Sequence, residues 1–137
     1  MDKKREEEIR KMFKGISFLQ YIGAELIDLS EGQAQIELSK RDELLQGNGF
    51  YHGGLLATVL DSTSCHAAAT LLPMGQHVVT VEMKVNYMRP ATDDRLVVKA
   101  KVLNKGKNII VCESEIFDKE SGKLVNKATV TVTPIEM

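Results

Sequence analysis

The chain has 137 residues, 43% of them hydrophobic and 27% charged, with a formal net charge of -1. That length suits a single domain spanning residues 1–137, with apolar content enough for a core, and the charge balance implies no nucleic-acid partner. Its apolar runs are broken by Asp61, Thr80 or Glu82 well short of the roughly 20 residues of a bilayer span, so no membrane crossing is expected.

The opening run Asp2-Lys3-Lys4-Arg5-Glu6-Glu7-Glu8 leads into no apolar signal core. Over residues 3–14, Ile9, Met12 and Phe13 recur at helical spacing among charges, which predicts a short amphipathic helix with those charges as its solvated face. An extended stretch, Ala24 to Leu29, then meets the turn signal Ser30-Glu31-Gly32 and the strict alternation of Gln33 to Ser39, together a hairpin. Glycines cluster at Gly47, Gly49, Gly53 and Gly54. After them Leu55 to Leu72 has the alanine and leucine content of one long helix, ended by Pro73.

Beyond Pro73 come four runs rich in β-branched residues: Val78 to Met88, Arg95 to Leu103, Ile109 to Phe117 and Leu124 to Thr133. The separators between them are each short enough for an antiparallel connection. A sheet of this kind needs one face covered, and the helix before Pro73 is the only long apolar element able to cover it. The expected architecture is α+β, an antiparallel sheet wrapped around one central helix. Cys65 and Cys112 make a poor disulfide framework and read as buried small side chains in a reducing, cytoplasmic compartment.

Asp61 interrupts the apolar series of that helix. A carboxylate on a buried element is costly unless paired. Steps of three and four place it beside Ala57, Thr58, Ser64 and Cys65, a small and polar face with room for a ligand. Two readings stand on residue type alone: a functional carboxylate, or one that faces solvent or accepts a hydrogen bond from Thr58 or Ser64. The run Gln46-Gly47-Asn48-Gly49-Phe50-Tyr51-His52-Gly53-Gly54 precedes the helix. Its glycines allow close backbone approach, and the first helical N–H groups form an electropositive pocket for an oxygen, or else merely a helix entry.

His52-Gly53-Gly54 followed by Asp61 resembles the motif of hotdog-fold acyl-CoA thioesterases, of the phenylacetate-pathway and hydroxybenzoyl-CoA thioesterase-like branch. The resemblance also takes in Phe18 to Gly23, Thr80 to Met83 and Asn86 to Ala91. It implies that the Gly53 amide holds a thioester carbonyl, that Asp61 attacks it or activates water, and that Thr80 assists. The branch commonly has Asn six residues before the His, where this chain has Gln46; Asn48 lies two residues later, and either amide is a candidate for that role. Phe50 and Tyr51 narrow an acyl pocket or pack the loop.

Other assignments rest on residue chemistry and position. His52 shapes the loop or binds substrate, and Gly54 lies with it against the substrate. Arg89, Lys105 and Lys107 are candidates for the CoA phosphates. His66 and His77 read as structural or exposed. No metal or other cofactor is implied, CoA being part of the substrate.

Gly53 and Asp61 lie eight residues apart on one helix, about 12 Å along its axis at about 1.5 Å per residue. One carbonyl cannot touch both, so the expected site takes them from two copies of the chain in a homodimer or a dimer of dimers. A non-catalytic acyl-CoA sensor and an enoyl-CoA hydratase or dehydratase are the competing readings. The latter wants a His paired with an acid, but His52 and Asp61 fall about 180° apart around the helix. The acyl group stays open between aromatic and medium-chain aliphatic.

Overall fold

The structure, a computed structural model, describes residues 1–137. Helix α1 (Lys3–Gly15) leads through the short α2 (Ser17–Tyr21) into β1 (Glu25–Ser30) and β2 (Gln33–Ser39). A 3-10 turn (Asp42–Leu44) precedes the central helix α3 (Gly53–Ala69), and β3 (Gln76–Tyr87), β4 (Arg95–Lys105), β5 (Ile110–Asp118) and β6 (Leu124–Glu136) complete the chain. The six strands form one sheet in the order β1-β2-β4-β5-β6-β3, every pair antiparallel.

Alternation makes the sheet two-faced. Along β5, Ile110, Cys112, Ser114 and Ile116 are buried while their neighbours are half-exposed, as a period of two requires. Ile36 and Leu38, Leu96 and Val98, and Ala128, Val130 and Val132 extend the same inner face across β2, β4 and β6. Against it lies α3, whose Leu55, Leu56, Val59, Leu60 and Ala68 join the same core. Each buried Leu or Val contributes about 1.5–3 kcal/mol relative to exposure.

The strand order differs from a simple meander. The links after β4 and β5 are hairpins, but the segment between β3 and β4 crosses the sheet, because β3 pairs with β6 and β4 with β2. Strand β3 is left at an edge, with Val79 and Val81 exposed. A long unpaired edge of this kind is a ready template for another strand.

Two expectations are corrected at the ends of helices. The α1 charges are not all a solvated face: Arg5 is 3% exposed, and its guanidinium donates to Ala69 O at 2.8 Å and Gln76 O at 2.7 Å while pairing with Glu8. It thereby adds a side-chain donor to the last carbonyl of α3, which Leu72 N also reaches at 3.1 Å. The central helix also stops at Ala69 rather than running to Pro73. From Thr70 to Leu72 the backbone makes three-residue bonds to Ala67, Ala68 and Ala69, a tightened last turn that precedes the proline.

Candidate active site

The entrance to α3 is built on His52. Its backbone is extended (φ -65°, ψ 134°), its carbonyl accepts from Leu55 N and Leu56 N, and its Nδ1 accepts from Gly54 N at 2.9 Å. The imidazole is thus the N-cap, with Nδ1 engaged as an acceptor. A Cβ at Gly54 would stand 3.2 Å from His52 Nδ1, so a larger residue there would push on the capping imidazole. The Gly53 N–H, first of the helix, has no intrahelical acceptor and points from the positive end of the helix dipole.

A cleft of about 350 Å³ opens beside Gly53. Gln46, Phe50, Tyr87, Arg89 and Asn126 contribute to its walls. Gln46 anchors the preceding turn: its N–H donates to Phe50 O at 2.8 Å, its carbonyl accepts from Gly49 N, and its side-chain Oε1 accepts from Asn48 N. Gly49 closes that turn at φ +85°, a conformation that favours glycine. Of the two candidate amides, the structure therefore brings Gln46 to the cleft and leaves Asn48 exposed at the tip of the turn. Phe50 and Tyr51 both line the cleft, and Tyr51, which is buried, also donates its hydroxyl to Asp93 O and so ties the loop down.

Two turns along α3, Asp61 is half-buried beside the edge strand. Thr80 Oγ1 donates to Asp61 Oδ1 at 2.5 Å, and Cys65 Sγ lies 3.8 Å from the same oxygen. Thr58 donates instead to Gly54 O at 3.0 Å, and neither Thr58 nor Ser64 is the partner of Asp61. The β3 register shifts between Thr80 and Glu82, a bulge of the kind that re-aims side chains beside sites. Burial pushes the Cys65 thiol up to about 12, so it stays protonated and is no nucleophile. His66 is 1% exposed and His77 partly buried, both with pKa values lowered chiefly by burial.

The basic candidates separate. Arg89 lines the Gly53 cleft. Lys105 and Lys107 flank the exposed turn after β4, which Thr133 Oγ1 ties down by donating to Asn108 O at 2.6 Å. That turn lies toward the Thr80 end of the sheet, because Ile110 pairs with Val132 and Val132 with Thr80, whereas Tyr87 and Asn126 pair at the other end.

Two cleft residues carry no sequence assignment. Tyr87 donates its hydroxyl to Gly53 O at 3.0 Å, bracing the helix entrance from the end of β3. Asn126 is fully buried on β6, and its sequence signal is a polar side chain in the inward row that continues through Ala128, Val130 and Val132.

A six-stranded antiparallel sheet around one helix, entered through a capped His-Gly-Gly turn and carrying a carboxylate at its middle, defines the hotdog fold and the enzyme class built on it. The chain belongs to the Thioesterase superfamily, whose family model matches residues 48–125. Acyl-coenzyme A thioesterase 13 of Homo sapiens is 31% identical over 127 residues, covering 91% of this chain and 90% of that protein. Among solved structures, a thioesterase family protein from Silicibacter pomeroyi is 27% identical with a TM-score of 0.92, over 97% of this chain and 99% of that one. The E. coli PaaI protein from the phenylacetic acid degradation operon shares the fold at a TM-score of 0.88 and 22% identity, over 96% and 94% of the two chains. Thioester hydrolysis is accordingly the chemistry of this enzyme.

Proposed function

We propose that the protein hydrolyses acyl-CoA thioesters at a site completed by two copies of the chain. The observation that carries this reading is the separation of its two halves: the Gly53 amide and Asp61, to which Thr80 of β3 donates, lie on one helix, about 12 Å apart along its axis. A nucleophile must come within about 3 Å of the carbon whose oxygen the amide holds. The exposed β3 edge, with Val79 and Val81, supports pairing with a second β3 about a twofold axis. Such pairing runs the two α3 helices in opposite directions, so that Gly53 of one copy faces Asp61 of the other. A dimer, or a dimer of dimers, is the active assembly.

In the reaction, the Gly53 N–H stabilises the oxyanion as the carbonyl carbon becomes tetrahedral; one such donor is worth about 2.7–4 kcal/mol. Asp61 acts ionised, either taking a proton from the attacking water or adding to the carbon itself. With water attacking, the C–S bond then breaks, the proton passes to the thiolate, and acid and CoA leave; with Asp61 attacking, CoA leaves first and water hydrolyses the resulting Asp61 acyl anhydride to free the acid and restore the carboxylate. Thr80 orients the carboxylate and Gln46 the thioester or water. Arg89 receives a CoA phosphate at the cleft, and in the antiparallel pair Lys105 and Lys107 approach from the other copy. His52 holds the helix entrance, its Nδ1 engaged with Gly54 N, which disfavours a hydratase base at that position. The relative named acyl-coenzyme A thioesterase supports CoA as the carrier.

The test is CoA release from a panel of aromatic and medium-chain acyl-CoA thioesters, with Asp61→Asn as the control. The reading expects hydrolysis that falls by roughly 10²-fold to 10⁴-fold in the variant, the range for removal of a general base. Thioester binding without CoA release would indicate a sensor, and turnover unchanged in the variant would remove Asp61 from the chemistry.

A further inference from the structure

Asn126 does what no other inner-face residue of β6 does. It is 0% exposed, and neither its Oδ1 nor its Nδ2 has a hydrogen-bond partner in the protein. Leaving a buried carboxamide unpaired is destabilising, and an apolar side chain of the same shape would avoid that cost. Its place in the fold is specific. It stands directly across from Tyr87 in the β3–β6 ladder, so the two side chains share a face. Tyr87 reaches the Gly53 carbonyl, and Asn126 lines the same cleft as the Gly53 backbone.

The chemistry of the cleft narrows the ligand group. Phe50, Leu56, Met88, Pro90 and Ala91 give apolar walls. Arg89 is exposed, whereas Asn126 and Leu56 lie buried at the floor. CoA is far larger than a space of about 350 Å³ and must lead out to solvent, so the part of an acyl thioester able to end at a buried floor is its acyl group. A carboxamide presents both donors and acceptors, matching a hydroxyl or carbonyl substituent and matching nothing on a hydrocarbon.

We infer that Asn126 is a specificity residue whose carboxamide hydrogen-bonds a polar substituent on the acyl group, making oxygenated acyl thioesters preferred over hydrocarbon ones of the same shape. This rests on the acyl-CoA thioesterase reading. A site built to hydrogen-bond a substrate group rejects the analogue lacking it, because the buried polar partner is then left unpaired.

The experiment measures kcat/KM for three matched pairs: octanoyl-CoA and 3-hydroxyoctanoyl-CoA, phenylacetyl-CoA and 4-hydroxyphenylacetyl-CoA, benzoyl-CoA and 4-hydroxybenzoyl-CoA. Wild type, Asn126→Leu and Asn126→Ala are compared, with thermal melting of each. The expected result is a preference of at least about tenfold for the hydroxylated member of one pair in wild type. In whichever variant folds, that ratio collapses to within about threefold, and Asn126→Leu melts no lower than wild type because an unpaired amide has been removed. Equal loss on both members of every pair would mean a structural or CoA-directed role and would overturn the inference. Hydrolysis by wild type with no preference in any pair overturns it alone. Failure to hydrolyse all six thioesters overturns the thioesterase reading as well.

Discussion

Thr80 Oγ1 stands 2.5 Å from Asp61 Oδ1, tying the middle of the central helix to the free edge of the sheet. The hydroxyl donates, so it fixes the rotamer of the carboxylate. Thr80→Ala removes one hydrogen bond to a charged group, about 1.5 kcal/mol, and should lower turnover about tenfold. Thr80→Ser should retain most of the activity. Steady-state kinetics beside Asp61→Asn checks this, and equal losses in Thr80→Ala and Asp61→Asn would move the hydroxyl to the centre of the mechanism.

Arg5 predicts a stability effect far from the chemistry. Its guanidinium fork joins Ala69 O, Gln76 O and Glu8, and it is almost wholly buried. Arg5→Ala removes a buried donor from both carbonyls, leaving Ala69 O with only its bond from Leu72 N, and leaves Glu8 without its cation, so unfolding by urea should show a loss of about 2–4 kcal/mol. Arg5→Lys should recover only part of it, because a point charge cannot reproduce the fork. An Arg5→Ala protein as stable as wild type would contradict this account of how the helix ends.

Stability should fall in mild acid. His66 donates Nδ1–H to Ser62 O at 2.7 Å, its Nε2 is buried without a partner, and burial lowers its pKa from 6.5 to about 4. The unfolded chain therefore takes up a proton before the folded one does. The stabilisation is fully present above about pH 6.5 and is lost as pH falls toward about 4, a total of about 3 kcal/mol. His77, also lowered by burial, acts in the same direction. Urea midpoints at pH 7 and pH 5 check this; the midpoint should drop at pH 5, and His66→Met should remove most of the slope. A flat profile in wild type would contradict the buried neutral imidazole.

Local pattern makes much of this legible and long-range pairing makes the rest not so. The alternation from Gln33 to Ser39 coincides with β2 because half-burial writes a period of two directly into the chain. The end of α3 is less legible: Pro73 marks where a helix must stop, but at the observed end, Ala69, the carbonyl accepts from Arg5, 64 residues away in sequence. The crossover between β3 and β4 is invisible to loop length, since Arg89 to Asp94 is short enough for a hairpin, yet its strands pair elsewhere. At the site, helical spacing identifies the small face around Asp61, whereas its partner Thr80 is implied by family resemblance and not by periodicity. Asn126 is visible in sequence only as a polar break in an apolar row, and its meaning depends on the cleft above it.

The most direct measurement of the central claim mixes two inactive variants. Gly53→Pro removes the amide at the first helical position, where proline is tolerated and where the extended His52 backbone already suits a following proline. Asp61→Asn removes the carboxylate. If each site takes Gly53 from one subunit and Asp61 from the other, a hybrid dimer has one intact site and one doubly disabled site. Co-refolding equal amounts makes about half the dimers hybrid, so about a quarter of wild-type CoA-releasing activity should return from two proteins that separately have little. Activity in the mixture no greater than the average of the two variants alone, with hybrids shown to form by native mass spectrometry, would contradict a site shared between subunits.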